Sequence, residues 1–409
     1  MAPRRAPLPR ALLLAAGGVL VGANCSDDAA ACAAEATDSL MLLQRGSESH
    51  LVSADWGPRK RKDRTPVVVD WPGADAQVPM KDVVKSFMMM SPAGSAFSLT
   101  TGRQFPAGYS RGYPPYSEHF QGVQRYGKYI YVSGSGETAS QAQIIVCEVE
   151  SRSDVGPMAR GSDSGPKSGD RVVKTVSFDR EFWHAGGFSI FGSTLVVGTE
   201  AGCSTTDRML GRCEKASRIF FFDLADPANP SQLPYILERK GGTAGAVALT
   251  QEADGRFLLM VGGVDSASLD FYRSSSGASL ASDPGFKKFA TWDSSALLVS
   301  AGASSAYNSY QNLNFVRQEN GDIFLIGTTR TMSGLGDDVA DLFLLDNSQE
   351  DSVTIKKVAG LSLQCPSFTC NFAAGGGAYV DSDGSLLIYG TDWEPSSGKI
   401  YITEFKGYR

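Results

Sequence analysis

The chain contains three histidines, and two of them sit in matching surroundings. His119 opens His-Phe-Gln-Gly-Val-Gln, and His184 opens His-Ala-Gly-Gly-Phe-Ser. An imidazole changes charge near neutrality, so the pair suits proton transfer or, beside Glu118 or Glu200, metal binding. His119 and His184 are therefore the candidate catalytic residues. A third histidine ligand is lacking, because His50 lies in an unpatterned stretch. The plain alternative is repeat inheritance, each ring bonding a neighbouring backbone group at the same place in a repeated unit. Glycoside hydrolysis by two carboxylates fits less well. Glu118, Glu200 and Asp392 are the acids near the same positions, and all lie at the edges of apolar segments. Glycine-rich phosphate loops, a nucleophile elbow and a His-Glu-x-x-His helix are absent, so no cofactor is expected.

The elements that position these residues repeat. Short apolar runs end in Gly134, Gly198, Gly262, Gly327 and Gly390, spaced 64, 64, 65 and 63 residues apart. Before each lies a strand of small or amide side chains, at 119–124, 184–189, 243–247, 311–315 and 371–376. Asp254-Gly255, Asn320-Gly321 and Asp383-Gly384 mark the hairpin turn between the two in three units. A third strand follows in every unit and a fourth in the first four. Four antiparallel strands per unit, with the smallest side chains innermost, form a β-propeller blade. The all-β chain is thus expected to make five four-stranded blades. The fifth lacks its own last strand, and Val83–Met90 is the expected N-terminal strand that closes it. Six blades, with residues 66–118 as the extra one, is the alternative.

Arg218-Ile219-Phe220-Phe221-Phe222-Asp223, running into Asp226-Pro227-Ala228-Asn229-Pro230, resembles the third-strand signature of LVIVD-type propeller repeats. Residues 83–406 more widely resemble secreted propeller proteins. The resemblance implies a fold and a compartment and carries no catalytic residue.

Arg4, Arg5 and Arg10, the apolar run Ala11–Val21 and the small residues that follow read as a secretory signal over residues 1–23. Residues 24–64 read as a low-complexity leader or propeptide ending in a basic run, and 65–409 as one propeller domain. A secreted or luminal location permits disulfides, and Cys203–Cys213 and Cys365–Cys370 are the expected pairs. Cys147, in an apolar strand, is expected to be a buried thiol. The net charge of −6 argues against nucleic acid, and no stable membrane insertion is expected after signal removal.

In a propeller, the turns entering the first strand share one face with those joining the second and third strands. Trp183, Glu200, Tyr310, Gln311, Asp392 and Trp393 map to that face, Gln121 and Asn314 line the channel, and together they are the candidate ligand-binding residues. The expected function is a binding propeller for a polar small molecule, glycan or protein. The alternative is a hydrolase or lyase with a His-based, possibly metal-assisted centre.

Overall fold

Side chains alternate between the two faces of a strand, so a strand buried on both faces reads as a continuous apolar run. Ile323-Phe324-Leu325-Ile326 shows the consequence: Ile323 and Leu325 enter one core, while Phe324 and Ile326 enter the next. The computed structural model describes residues 78–100, 120–136, 141–150, 170–200, 216–263, 266–331, 336–365, 370–373, 375–392 and 399–407. All of them belong to the second of two units, His50–Arg409.

The first blade comprises β2 (Phe120–Tyr126), β3 (Tyr129–Gly136), β4 (Gln141–Glu148) and β5 (Arg171–Asp179). The second is β6 (His184–Phe191), β7 (Thr194–Glu200), β8 (Ala216–Asp223) and β9 (Ser231–Lys240). The third is β10 (Ala246–Gln251), β11 (Phe257–Gly262), β12 (Ser268–Arg273) and β13 (Lys287–Asp293). In the fourth, β15 (Asn312–Arg317), β16 (Ile323–Arg330), β17 (Asp338–Asp346) and β18 (Thr354–Leu363) are joined outside by the two-residue β14 (Leu298–Val299). The fifth has β19 (Gly375–Val380), β20 (Leu386–Thr391) and β21 (Lys399–Lys406). Its inner strand starts later than the sequence suggests, with Asn371–Ala373 in the entering turn. The turns from first to second strand carry a positive-φ glycine in every blade, as at Gly255 and Gly321, both at φ 86°.

One apolar cluster fills each junction between neighbouring blades, including the junction of the fifth blade with the first. The ring of five blades is therefore closed, and the fold is a five-bladed β-propeller.

The closing strand is not Val83–Met90. β1 (Ser95–Thr100) pairs antiparallel with β21, Ser95 opposite Glu404 and Leu99 opposite Ile400. Val83–Met88 instead forms a short helix, α1, whose N-cap Asp82 accepts a hydrogen bond from Lys85 N at 2.9 Å. Val83 and Phe87, one helical turn apart, enter the core between blades four and five together with Met80 and Met90.

Near the axis the inner strands nearly touch. A Cβ built on Gly377 would lie 1.9 Å from the Val123 carbonyl oxygen, and one on Gly187 2.4 Å from that of Gln311. Asn312 Nδ2 donates to Gln121 O, joining blade four to blade one. Asn314 Nδ2 donates to Phe188 O at 3.0 Å, and its Oδ1 accepts from Ala378 N at 2.9 Å. The Nδ2 contacts join blades that are not neighbours in the ring, while the Asn314 Oδ1 contact ties blade four to its neighbour, blade five.

Cys365 and Cys370 form a disulfide, with Cα atoms 5.4 Å apart, while Cys203–Cys213 lies outside the described residues. Cys147 is a buried free thiol, and burial pushes its pKa up to about 12. Thiolate is the reactive form, so Cys147 is expected to resist iodoacetamide at pH 8 in the folded chain and to react fully in denaturant. Mass spectrometry of the two samples checks this, and full labelling of the native protein would contradict the burial.

Candidate functional site

The start of β6 and the end of β7 are opposite one another, so His184 and Glu200 are register partners. His184 Nδ1 lies 3.6 Å from Glu200 Oε1. On its other side, Gln121 of blade one brings its Nε2 to 3.2 Å from His184 Nε2. In the tautomer with the proton on Nδ1, Nε2 accepts from the Gln121 amide, and the Nδ1 side faces the Glu200 carboxylate at ion-pair rather than hydrogen-bond distance. This is a carboxylate–imidazole pair whose Nε2 faces the Gln121 side chain of the neighbouring blade. Trp183 stands half-buried beside it, its ring centroid 6.1 Å from the imidazole and nearly perpendicular to it.

Each member is held by its own element. Glu200 Oε2 accepts a hydrogen bond from Ala244 N at 2.9 Å and so fixes the turn entering blade three. Asp179, at the end of β5, fixes the turn that carries Trp183 and His184. Its Oδ1 accepts from Glu181 N at 3.0 Å and Phe182 N at 3.2 Å, and its Oδ2 from Thr199 Oγ1 at 2.9 Å. Arg218 lies 4.7 Å over the Phe182 ring and pairs with Glu181 at 2.7 Å. Behind Glu200, the buried Arg239 reaches Asp270 at 2.5 Å, Tyr272 Oη at 3.0 Å and Ser217 Oγ at 3.1 Å.

The remaining sequence candidates separate. Gln121, Trp183, Glu200 and His184 are brought together. The Gln311 carbonyl comes against Gly187 of blade two. Asn314 is buried in the closed axis, and Asp392 is half-buried just beyond the end of β20. Tyr310 is interior: its hydroxyl lies 2.5 Å from Asp341 Oδ2, which also receives Lys357 Nζ at 2.8 Å and Asn308 Nδ2 at 3.1 Å. Burial, followed by the neighbouring Asp341 charge, pushes the Tyr310 phenol far above its ordinary range. His119 and Trp393 lie outside the described residues. Among the described residues, no three His, Cys, Asp or Glu side chains gather as a metal site would require.

Sequence reasoning missed Asp179, Asp270, Asp341 and Lys357, which brace this face from behind. Their signal is charge within otherwise apolar or alternating strands, as at Asp270 in Ser-Leu-Asp-Phe-Tyr.

No family model matches the chain, and no curated protein matches it. Solved structures with related architecture include an exo-β-1,3-galactanase from Clostridium thermocellum, 12% identical, with a TM-score of 0.39. The match covers 75% of this chain and 62% of that one, so this chain spans about three-fifths of that relative's length. An exo-β-1,3-galactanase from Phanerochaete chrysosporium, solved with galactose, is 10% identical at a TM-score of 0.39, covering 77% of this chain and 64% of that one. An α-L-arabinanase from Cellvibrio cellulosa, complexed with arabinohexaose, is 12% identical at a TM-score of 0.36, covering 69% and 89%. Likeness at this level transfers no residue role, and the LVIVD-type resemblance gains no support from it. The chain is a five-bladed β-propeller.

Proposed function

We propose that this chain acts on a carbohydrate at the His184 face of the propeller, as a glycoside hydrolase. The observation that carries this reading is the convergence of Glu200, His184 and Gln121 beside the Trp183 indole. Sugars offer hydroxyl edges for amide, imidazole and carboxylate groups and an apolar C–H face for an aromatic ring. A sugar hydroxyl that takes over the Gln121 hydrogen bond uncovers His184 Nε2. That nitrogen accepts the proton of a water attacking the anomeric carbon. As the new C–O bond forms and the glycosidic one breaks, solvent protonates the departing oxygen. Glu200 steadies the imidazolium through Nδ1.

Glu200→Gln separates the chemistry from the fold, because a glutamine carbonyl still accepts from Ala244 N. Reducing-sugar release from arabinan, galactan and related polysaccharides should fall about 100-fold or more in His184→Ala. It should also fall in Glu200→Gln while the thermal midpoint of that variant stays near wild type. Equal activity in wild type and both variants would overturn the assignment.

A second reading is recognition without cleavage, favoured by Trp183, which offers a stacking surface that needs no proton transfer. It predicts polysaccharide binding that Trp183→Ala abolishes, with no sugar released by wild type.

A further inference from the structure

The segment before β1 crosses from blade four to blade five in a series of backbone contacts. Met80 N donates to Arg317 O, and Glu319 N donates to Met80 O, both at 2.8 Å. Val83 N donates to Gln318 Oε1 at 3.0 Å. After α1, Ser91 N donates to Lys406 O at 3.2 Å, and Gln364 N donates to Pro92 O at 2.7 Å. Ala93 then bridges to Gln364, and β1 runs along β21. Residues 78–100 are therefore a latch that ties the last two blades together.

The disulfide sits where this latch crosses. Gln364, which holds Pro92 and Ala93, is bonded in sequence to Cys365. Cys370 is only 3% exposed and belongs to the same apolar cluster as Met80, Val83, Phe87 and Met90, with Cys365 packed against its edge. A Cβ on Gly390 would lie 2.9 Å from Cys370 Cβ, so this half of the bridge rests directly on the second strand of blade five. Next to it, Asn371 N donates to Thr391 O and Phe372 N to Asp338 Oδ1, both at 2.9 Å. The bridge thus fixes the Gln364 backbone relative to both blades.

We propose that Cys365–Cys370 is a redox-sensitive lock on the N-terminal latch. A dithiol reductant breaks the S–S bond. Cys365 and Cys370 each gain one electron and one proton, and the dithiol becomes its own disulfide. Cys365 is the less buried of the two residues. With the bond broken, the segment carrying Gln364 is no longer tied through Cys365 to Cys370, and residues 78–100 detach ahead of the blades. The freed β21 then presents an unpaired backbone edge, open to another extended strand. The apolar cluster around the bridge is built from residues 80–90 and blades four and five, so the opening is local.

Hydrogen exchange of the full chain, read peptide by peptide before and after dithiothreitol, tests the lock. Amides of Ala96–Leu99 and Val83–Met88 should exchange at least tenfold faster after reduction, with those of β6–β12 unchanged. The Cys365→Ser/Cys370→Ser double variant should show the same pattern without reductant, while Cys203→Ser/Cys213→Ser should leave β1 protected. If the first double variant does not fold, folded wild type reduced in place gives the reading, with alkylation and peptide mapping confirming that Cys365 and Cys370 are free. Unchanged β1 protection in the reduced chain would overturn the lock, as would an equal loss of protection in all blades.

Discussion

Asp341→Ala is expected to cost about 3–5 kcal/mol of folding stability, because it strands a buried charge. Lys357 has 2% of its side chain exposed and Asp341 5%, and their charged atoms meet at 2.8 Å. Lys357 Nζ also donates to Ala306 O at 2.9 Å, so the ammonium is held between blade four and the long turn that precedes it. The same carboxylate oxygen holds Tyr310 and Asn308 of that turn. Removing it leaves three donors facing one another in a space lined by Tyr307 and Phe343. Water cannot easily replace the lost partner in so apolar a site. Replacing both members, as in Asp341→Ala with Lys357→Met, removes the stranded charge and should recover more than half of the loss. Urea unfolding curves of the two variants give the comparison, and a single-variant loss below about 1 kcal/mol would contradict the network's role.

Gly377→Ala is the second large effect. The added methyl would sit 1.9 Å from Val123 O and 2.7 Å from Gln124 Nε2. The nearer obstacle is backbone, so relief requires two inner strands to separate at the axis. Overpacking of this kind costs about 1–3 kcal/mol and sometimes more, and here the upper part of the range applies because the strand on each side is fixed by its own blade. Gly321→Ala is the control. Its turn position has φ 86° with open space around it, so the loss is one of backbone conformation alone, about 1–2 kcal/mol. A smaller loss for Gly377→Ala than for Gly321→Ala would show that the axis is looser than described.

The blades were legible because two independent sequence signals coincide in them. A strand with both faces in apolar junctions must be apolar throughout, and its hairpin must contain a residue tolerant of positive φ. The 64-residue spacing then counts the blades. The closing strand was not legible, since Ser95-Ala96-Phe97-Ser98 is short and polar beside the more apolar Val83–Met90. The capping Asp82 did carry a helix signal. At the site, the equivalence of 119 and 184 drew attention to His184, and Glu200 followed from the register of a hairpin. The Gln121 contact could not be read in the same way, because it joins adjacent blades across 63 residues of sequence. The roles of Asp179 and Lys357 were hidden for a related reason. Asp179 caps its own turn but also reaches Thr199 of blade two, and Lys357 meets Asp341 and Ala306 O, so their charge stands out in the strands while the partners that explain it lie elsewhere in sequence.

The measurement that bears most directly on a carbohydrate site at this face is affinity electrophoresis across a panel of polysaccharides. Wild type, Trp183→Ala and His184→Ala should be run beside an outer-strand control, Lys287→Ala. One polysaccharide class should retard wild type and the control alike and lose its hold on both site variants. Failure of every polysaccharide to retard wild type, or equal retardation of all four proteins, would contradict the assignment.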